Sequence, residues 1–164
     1  MKFARISTTF ALLVSLLNFG CVYSFKGFYP SKLRKVVVPV FANETLRYGL
    51  EDVVTQSFID AIREDGRLTI VSEKEATMKI QGRIIDYKKE PFEYDASGNV
   101  ESYRITITAA ITFYDLTADT TFIPEKRYSG WGIFDANTET EEDGVRRAVR
   151  ELVDSALRTL FTKE

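Results

Sequence analysis

The chain of 164 residues contains no histidine, one cysteine, four prolines and nine glycines. Without histidine it lacks the commonest general acid–base group and the commonest zinc ligand. One cysteine closes no disulfide within the chain and builds no multi-thiolate metal site. There is no glycine-rich phosphate loop and no Gly-x-Ser-x-Gly turn, so nucleotide cofactors and acyl-transfer chemistry lose their usual footholds. Neither sign of charge dominates. With 22 Lys and Arg against 24 Asp and Glu the net charge is −2, which offers no overall attraction to nucleic acid, whose phosphates demand a basic face. No apolar run approaches the roughly 20 residues that a membrane-spanning helix needs. What is present, 45% hydrophobic and 28% charged residues, suits one compact domain, at roughly 100–200 residues per domain. The composition therefore points to a protein that is not an enzyme and uses no metal or cofactor.

Residues 1–20 differ in kind from the rest. Lys2 and Arg5 form a positive n-region, Phe10 to Leu17 an apolar h-region, and Gly20 stands before Cys21, the only thiol. This is an export signal in which Cys21 occupies the place of a lipoprotein acceptor, where the sulfur takes a diacylglycerol and cleavage frees the amine. Asn18 and Phe19 stand where such signals usually carry leucine and a small residue. An ordinary export signal followed by an unrelated thiol is the alternative. Cleavage removes Lys2 and Arg5 and leaves 20 basic against 24 acidic residues, a net charge of −4. More than one acyl chain exceeds the marginal binding of a single chain, so the expected state is anchored rather than spanning.

Residues 21–34 form an aromatic-rich tether with Tyr23, Phe25, Phe28 and Tyr29, and residues 35–164 a single domain. Lys35 to Phe41 is β-branched and apolar on both faces, a strand buried on both sides or lying under helices, with Pro39 placing it near an edge or at a strand end. Asn43-Glu44-Thr45 matches a glycosylation pattern that is uninformative behind a bacterial signal, and reads as a polar turn. Leu50, Val53, Val54, Ser57, Phe58, Ala61 and Ile62 form the stripe of an amphipathic helix, with Gly66 at its C-cap. Leu68 to Val71 is a short strand. Met78, Ile80, Gly82 and Ile84 then alternate with Lys79, Gln81, Arg83 and Ile85, and Tyr103, Ile105, Ile107, Ala109, Ile111 and Phe113 alternate with Arg104, Thr106, Thr108, Ala110, Thr112 and Tyr114. Asp95 to Asn99 supplies hairpin chemistry between them.

A further strand runs from about Glu125 to Phe134. Within it Gly130-Trp131-Gly132 marks a bulge or a close backbone approach, with the indole filling space nearby. Val145 to Phe161 carries the clearest helical stripe, preceded by Thr138-x-x-Glu141 as a capping box. The order β-α-β-β-β-β-α predicts an α+β two-layer sandwich: two amphipathic helices packed on one face of a four- or five-stranded, largely antiparallel sheet. The other face is then polar or engaged by a partner.

Glu141-Glu142-Asp143 sits where acids complement a helix dipole, and Asp60 with Glu64 has no opposing acid, so no catalytic pair emerges. Arg83, Lys88, Lys89 and Arg104 are more informative. They lie on or beside the long hairpin, interleaved with Tyr87, Phe92 and Tyr94. Cations, rings and an exposed Thr-rich sheet suit an amphipathic anionic ligand such as a phosphorylated glycolipid. The same residues also suit an ordinary solvated sheet face. Lys126-Arg127 is a weaker second candidate.

Gly20-Cys21-Val22-Tyr23-Ser24-Phe25, Val38-Pro39-Val40-Phe41-Ala42-Asn43-Glu44-Thr45 with Gly49-Leu50-Glu51, Gly82-Arg83-Ile84, and Gly98-Asn99-Val100-x-x-Tyr103-Arg104, closed by an amphipathic helix, resemble the LptE family of lipopolysaccharide-assembly lipoproteins. The resemblance covers nearly all of the mature chain. Val22 departs from it, standing where glycine often follows the lipidated cysteine. The resemblance implies a two-helix, four-stranded domain, lipid-anchored in the inner leaflet of the outer membrane on its periplasmic side. There it would plug and help assemble the β-barrel LptD and assist delivery of lipopolysaccharide to the cell surface. Cys21 is the one position it carries over as a motif; it fixes no basic residues. The alternative is a periplasmic lipoprotein adaptor, also non-enzymatic, that binds peptides or envelope proteins on its open sheet face.

Overall fold

A computed structural model describes residues 31–162. The signal at 1–20, Cys21 and the tether as far as residue 30 lie outside the described residues. After a 3₁₀ turn at Ser31–Leu33 come β1 (Lys35–Val37), β2 (Ala42–Asn43), α1 (Leu50–Asp65), β3 (Thr69–Ile70), β4 (Met78–Tyr94), β5 (Val100–Asp115), β6 (Thr120–Asp135) and α2 (Glu141–Thr162).

The sheet runs β3-β1-β4-β5-β6, with β2 also on β4. β4, β5 and β6 are antiparallel, whereas β1 and β2 run parallel to β4 and β3 runs parallel to β1. β1 lies opposite Met78 and Lys79, and β2 opposite Arg83 and Ile84. They are two halves of one strand position, so the sheet has five positions. Pro39 makes the break because it has no N–H to give a ladder. Two residues on, the Phe41 N–H leaves the sheet and donates to Thr55 Oγ1 at 3.0 Å. The expectation of burial on both faces fails here: Val36, Val38 and Phe41 are buried, but Val40, beyond the break, is 67% exposed.

Both helices cover one face. α1 buries Leu50, Val54, Phe58 and Ile62, and closes on Gly66 at φ 71°, whose N–H donates to Ile62 O. α2 buries its whole stripe from Val145 to Leu160. Between helices and sheet lie Met78, Ile80, Ile84, Ile105, Ile107, Ile111 and Phe113, all fully buried and worth about 1.5–3 kcal/mol per large side chain. β6 meets α2 through Gly130 and Gly132. A Cβ on Gly130 would stand 2.1 Å from Ala148 O, and one on Gly132 would stand 2.3 Å from Gly144 O. The close approach expected at Gly130-Trp131-Gly132 is therefore real. The indole between them points the other way and is 51% exposed: residues 130 and 132 face the helix, so alternation turns residue 131 outward.

The start of α2 differs by two residues from the sequence reading. Thr140, not Thr138, forms the cap: its N–H and hydroxyl donate to Asp143 Oδ2 at 2.9 and 2.7 Å, and Asp143 N–H donates to Thr140 O at 3.1 Å. Glu139 is engaged elsewhere, accepting from Asp135 N–H and Arg147 Nη1, both at 2.9 Å. The Arg147 guanidinium holds the Glu139 carboxyl at about 2, below its ordinary 4.5, and the bonds from Thr140 hold Asp143 at about 2. Carboxyls depressed in the folded chain stabilise it above their unfolded pKa, and that contribution disappears as pH falls toward 2. The thermal midpoint followed by circular dichroism should therefore drop between about pH 4.5 and pH 2. Glu139→Gln should flatten part of that drop.

Candidate functional site

The face of the sheet away from the helices is built from β4, β5 and β6. Their registers set side chains in rows: Lys88, Thr106 and Trp131; then Glu90, Arg104 and Ile133; further along, Arg83, Ala110 and Arg127. Arg104 is the distinctive member. Its guanidinium carbon lies 4.2 Å from the Phe92 ring centroid and 5.5 Å from that of Trp131, so two rings clamp one cation. Arg104 Nε is buried without a hydrogen-bond partner. Among the described residues its guanidinium makes no ion pair, although Glu90 is its cross-strand neighbour. Phe92, Tyr94 and Trp131, all exposed, surround this end of the sheet.

The four sequence candidates part company in the structure. Lys88 stands one row from Arg104 and reaches Asp86 only at 3.5 Å, an exposed pair worth about 0–1 kcal/mol. Arg83 shares the face but lies level with Ala110, six residues from Arg104 along β5, or about 20 Å. It sits between two carboxylates, 3.0 Å from Glu44 and 3.1 Å from Glu125. Lys89 is on the opposite face. A bulge between Ile84 and Asp86 shifts the alternation of β4, so Tyr87 and Lys89 turn toward α2. There Lys89 Nζ is 2.7 Å from Glu141 Oε2 and 4.7 Å from the Tyr103 ring, and Tyr87 OH donates to Glu141 Oε1 at 2.6 Å. The Lys89 ammonium first, then Tyr87, holds the Glu141 carboxyl below its usual range, while burial pushes the Tyr87 hydroxyl up. Arg47 adds an ion pair to Glu142 at 2.7 Å. The acids at the start of α2 thus tie the helix to β4 and to the loop before α1.

Of the weaker pair, Arg127 faces Ala110 and Lys126 Nζ lies 5.7 Å from the Tyr128 ring. Trp131 is the residue of this face that the sequence candidates lacked, and the signal for it lay in its flanking glycines. Among the described residues no group of three His, Cys, Asp or Glu side chains is placed to hold a metal, and no helix is long and apolar enough to cross a membrane.

A family model for LptE, described as lipopolysaccharide-assembly, matches residues 33–160. The chain belongs to the LptE family. The matched span takes in every strand of the LptE sheet, α1 and nearly all of α2. Among solved structures, a hypothetical protein from Chlamydia trachomatis is similar at TM-score 0.53 and 11% identity, over 79% of this chain and 98% of its own. A protein from Xanthomonas campestris is similar at TM-score 0.51 and 12% identity, over 82% and 88%. Uncharacterized lipoprotein B from Nitrosomonas europaea is similar at TM-score 0.50 and 17% identity, over 79% and 83%. At these identities the likeness is one of fold. No curated protein matches the chain.

Proposed function

We propose that this LptE chain is a non-enzymatic outer-membrane lipoprotein that is anchored through Cys21, plugs and helps assemble the barrel LptD, and receives lipopolysaccharide on its open sheet face. The observation that carries the ligand assignment is Arg104, a cation fixed between Phe92 and Trp131 and left without a carboxylate. A lipid phosphate gives such a guanidinium a charge-assisted partner, and the exposed rings beside it give acyl chains an apolar rim. Lys88, one row away, supplies the second charge. Arg83 and Lys89 join only by exchanging Glu44 and Glu125, or Glu141, for the ligand.

The course of the chain supports the same reading. The tether enters the sheet at Lys35, opposite Thr69 and next to Val36 on Met78, while the tip of the β4–β5 hairpin lies at the other end. Arg104 therefore lies toward the end of the domain away from Lys35, where the described chain enters the sheet, and a partner can reach it there. Extraction in mild detergent should recover the protein with a barrel many times its size, and a radiolabelled fatty acid should mark it but not Cys21→Ala. Recovery alone, as an unlabelled monomer, contradicts the proposal.

A further inference from the structure

β6 is the outer strand of the sheet and is 16 residues long. An edge of that length presents a row of unpaired N–H and C=O groups, and here three of them, at residues 131, 133 and 135, are closed by side chains. Glu151 Oε2 accepts Trp131 N–H at 2.7 Å, Arg147 Nη1 donates to Ile133 O, and Glu139 Oε2 accepts Asp135 N–H at 2.9 Å. All three caps come from α2 or its lead-in.

The outward backbone groups alternate by two residues, and the register with β5 is regular from Phe134 opposite Tyr103 to Lys126 opposite Ile111. Arg127 and Ser129 therefore also turn their N–H and C=O outward, and among the described residues no side chain caps them. Beyond them Pro124, which has no N–H, lies in the irregular stretch between Lys126 and Ile123 and ends the usable edge. The open segment is Glu125 to Ser129.

Its surroundings are basic. Lys126 and Arg127 sit on the strand itself. A groove of about 380 Å³ between Ser129 and α2 is lined by Arg147, Arg150 and Arg158, against Glu151 and Asp154. Glu151 is spent on Trp131 N–H, and Arg150 and Arg158 make no ion pair among the described residues. Two copies of the chain pairing antiparallel about the middle of this segment would set Arg127 of one directly opposite Arg127 of the other, and like charges across strands destabilise.

We infer that Glu125 to Ser129 is a docking edge for an extended acidic segment of a partner protein, which adds to β6 as a further strand with its carboxylates against Lys126, Arg127, Arg150 and Arg158. Main-chain bonds at Arg127 and Ser129 hold the strand, and charge selects it. Of these four cations the edge shares only Arg127 with the open sheet face, level with Ala110 and so six residues along β5 from Arg104, and the edge stands whether or not lipid binds at Arg104.

The test uses the full chain in detergent with two fluorescein-labelled decapeptides, one alternating threonine and glutamate, the other threonine and lysine. The glutamate peptide should bind and the lysine peptide should not. The double variant Arg150→Glu, Arg158→Glu, on the helix side of the strand, should weaken glutamate-peptide binding at least about tenfold while leaving lipopolysaccharide binding unchanged. Saturating peptide should slow hydrogen exchange at the Arg127 and Ser129 amides, which a purely electrostatic attachment would not do. Three results each overturn the inference: equal binding of the two peptides, unchanged exchange at those amides, or a dimer of the chain in which they are already protected.

Discussion

Gly130→Val should lower the stability of the domain by about 3 kcal/mol and its thermal midpoint by about 10 °C. The reason lies in what the new side chain meets. Its Cβ would fall 2.1 Å from Ala148 O and 2.4 Å from Leu152 N, and both are backbone atoms of α2. A flexible side chain in the way would swing aside at small cost, but a helix backbone moves only by lifting off the sheet. That movement opens the contacts of Val149, Leu152 and Ala156 with the core, all of them buried. Trp131→Ala, one residue away, is the control. The indole is half exposed on the other face, so its loss should cost much less. A midpoint for Gly130→Val within about 2 °C of the native chain would mean that α2 does not rest on β6 as described.

Arg104→Gln should reduce lipopolysaccharide binding by about tenfold to a hundredfold, the equivalent of one charge-assisted bond of roughly 1.5–3 kcal/mol. It should leave the fold intact, because Arg104 has no ion pair to lose and its Nε is already without an acceptor. Arg83→Gln, removing the same charge from the same face, should have the smaller effect, since Glu44 and Glu125 already neutralise that guanidinium. Lys89→Gln should act on stability instead, by freeing Glu141 at the start of α2. Titration calorimetry against lipopolysaccharide, with thermal melts of the same variants, separates the three. Equal losses of binding at Arg83 and Arg104 would show that total charge, not the ring clamp, governs the face.

The elements that the sequence revealed most plainly are those whose pattern is unbroken. The α2 stripe from Val145 to Leu160 repeats without interruption, and Asp95 to Asn99 combines turn chemistry with an Asp whose carboxylate accepts the Ser97 and Asn99 N–H groups. A sheet of four or five strands and the single helix-covered face followed from counting such elements. The site was harder to read because one inserted residue inverts a strand. The bulge after Ile84 carries no signature in residue type, yet it sends Lys89 to the helix face and keeps Lys88 on the open one. Adjacent lysines with identical side chains therefore have opposite roles. The pairing of Arg83 was hidden for a different reason, since Glu44 and Glu125 are 39 and 42 residues away in the chain. Trp131 was legible in principle: a glycine on each side marked the faces on which a helix backbone would press, and that left the indole only the open one.

The central claim is that lipopolysaccharide meets the face carrying Arg104, and site-specific photocrosslinking in living cells tests it most directly. A photoreactive residue at Thr106, between Lys88 and Trp131 on that face, should capture lipopolysaccharide, while the same residue at Asp154, on α2 on the helix side of the sheet, should not. Capture at position 154 with none at position 106 would contradict the account.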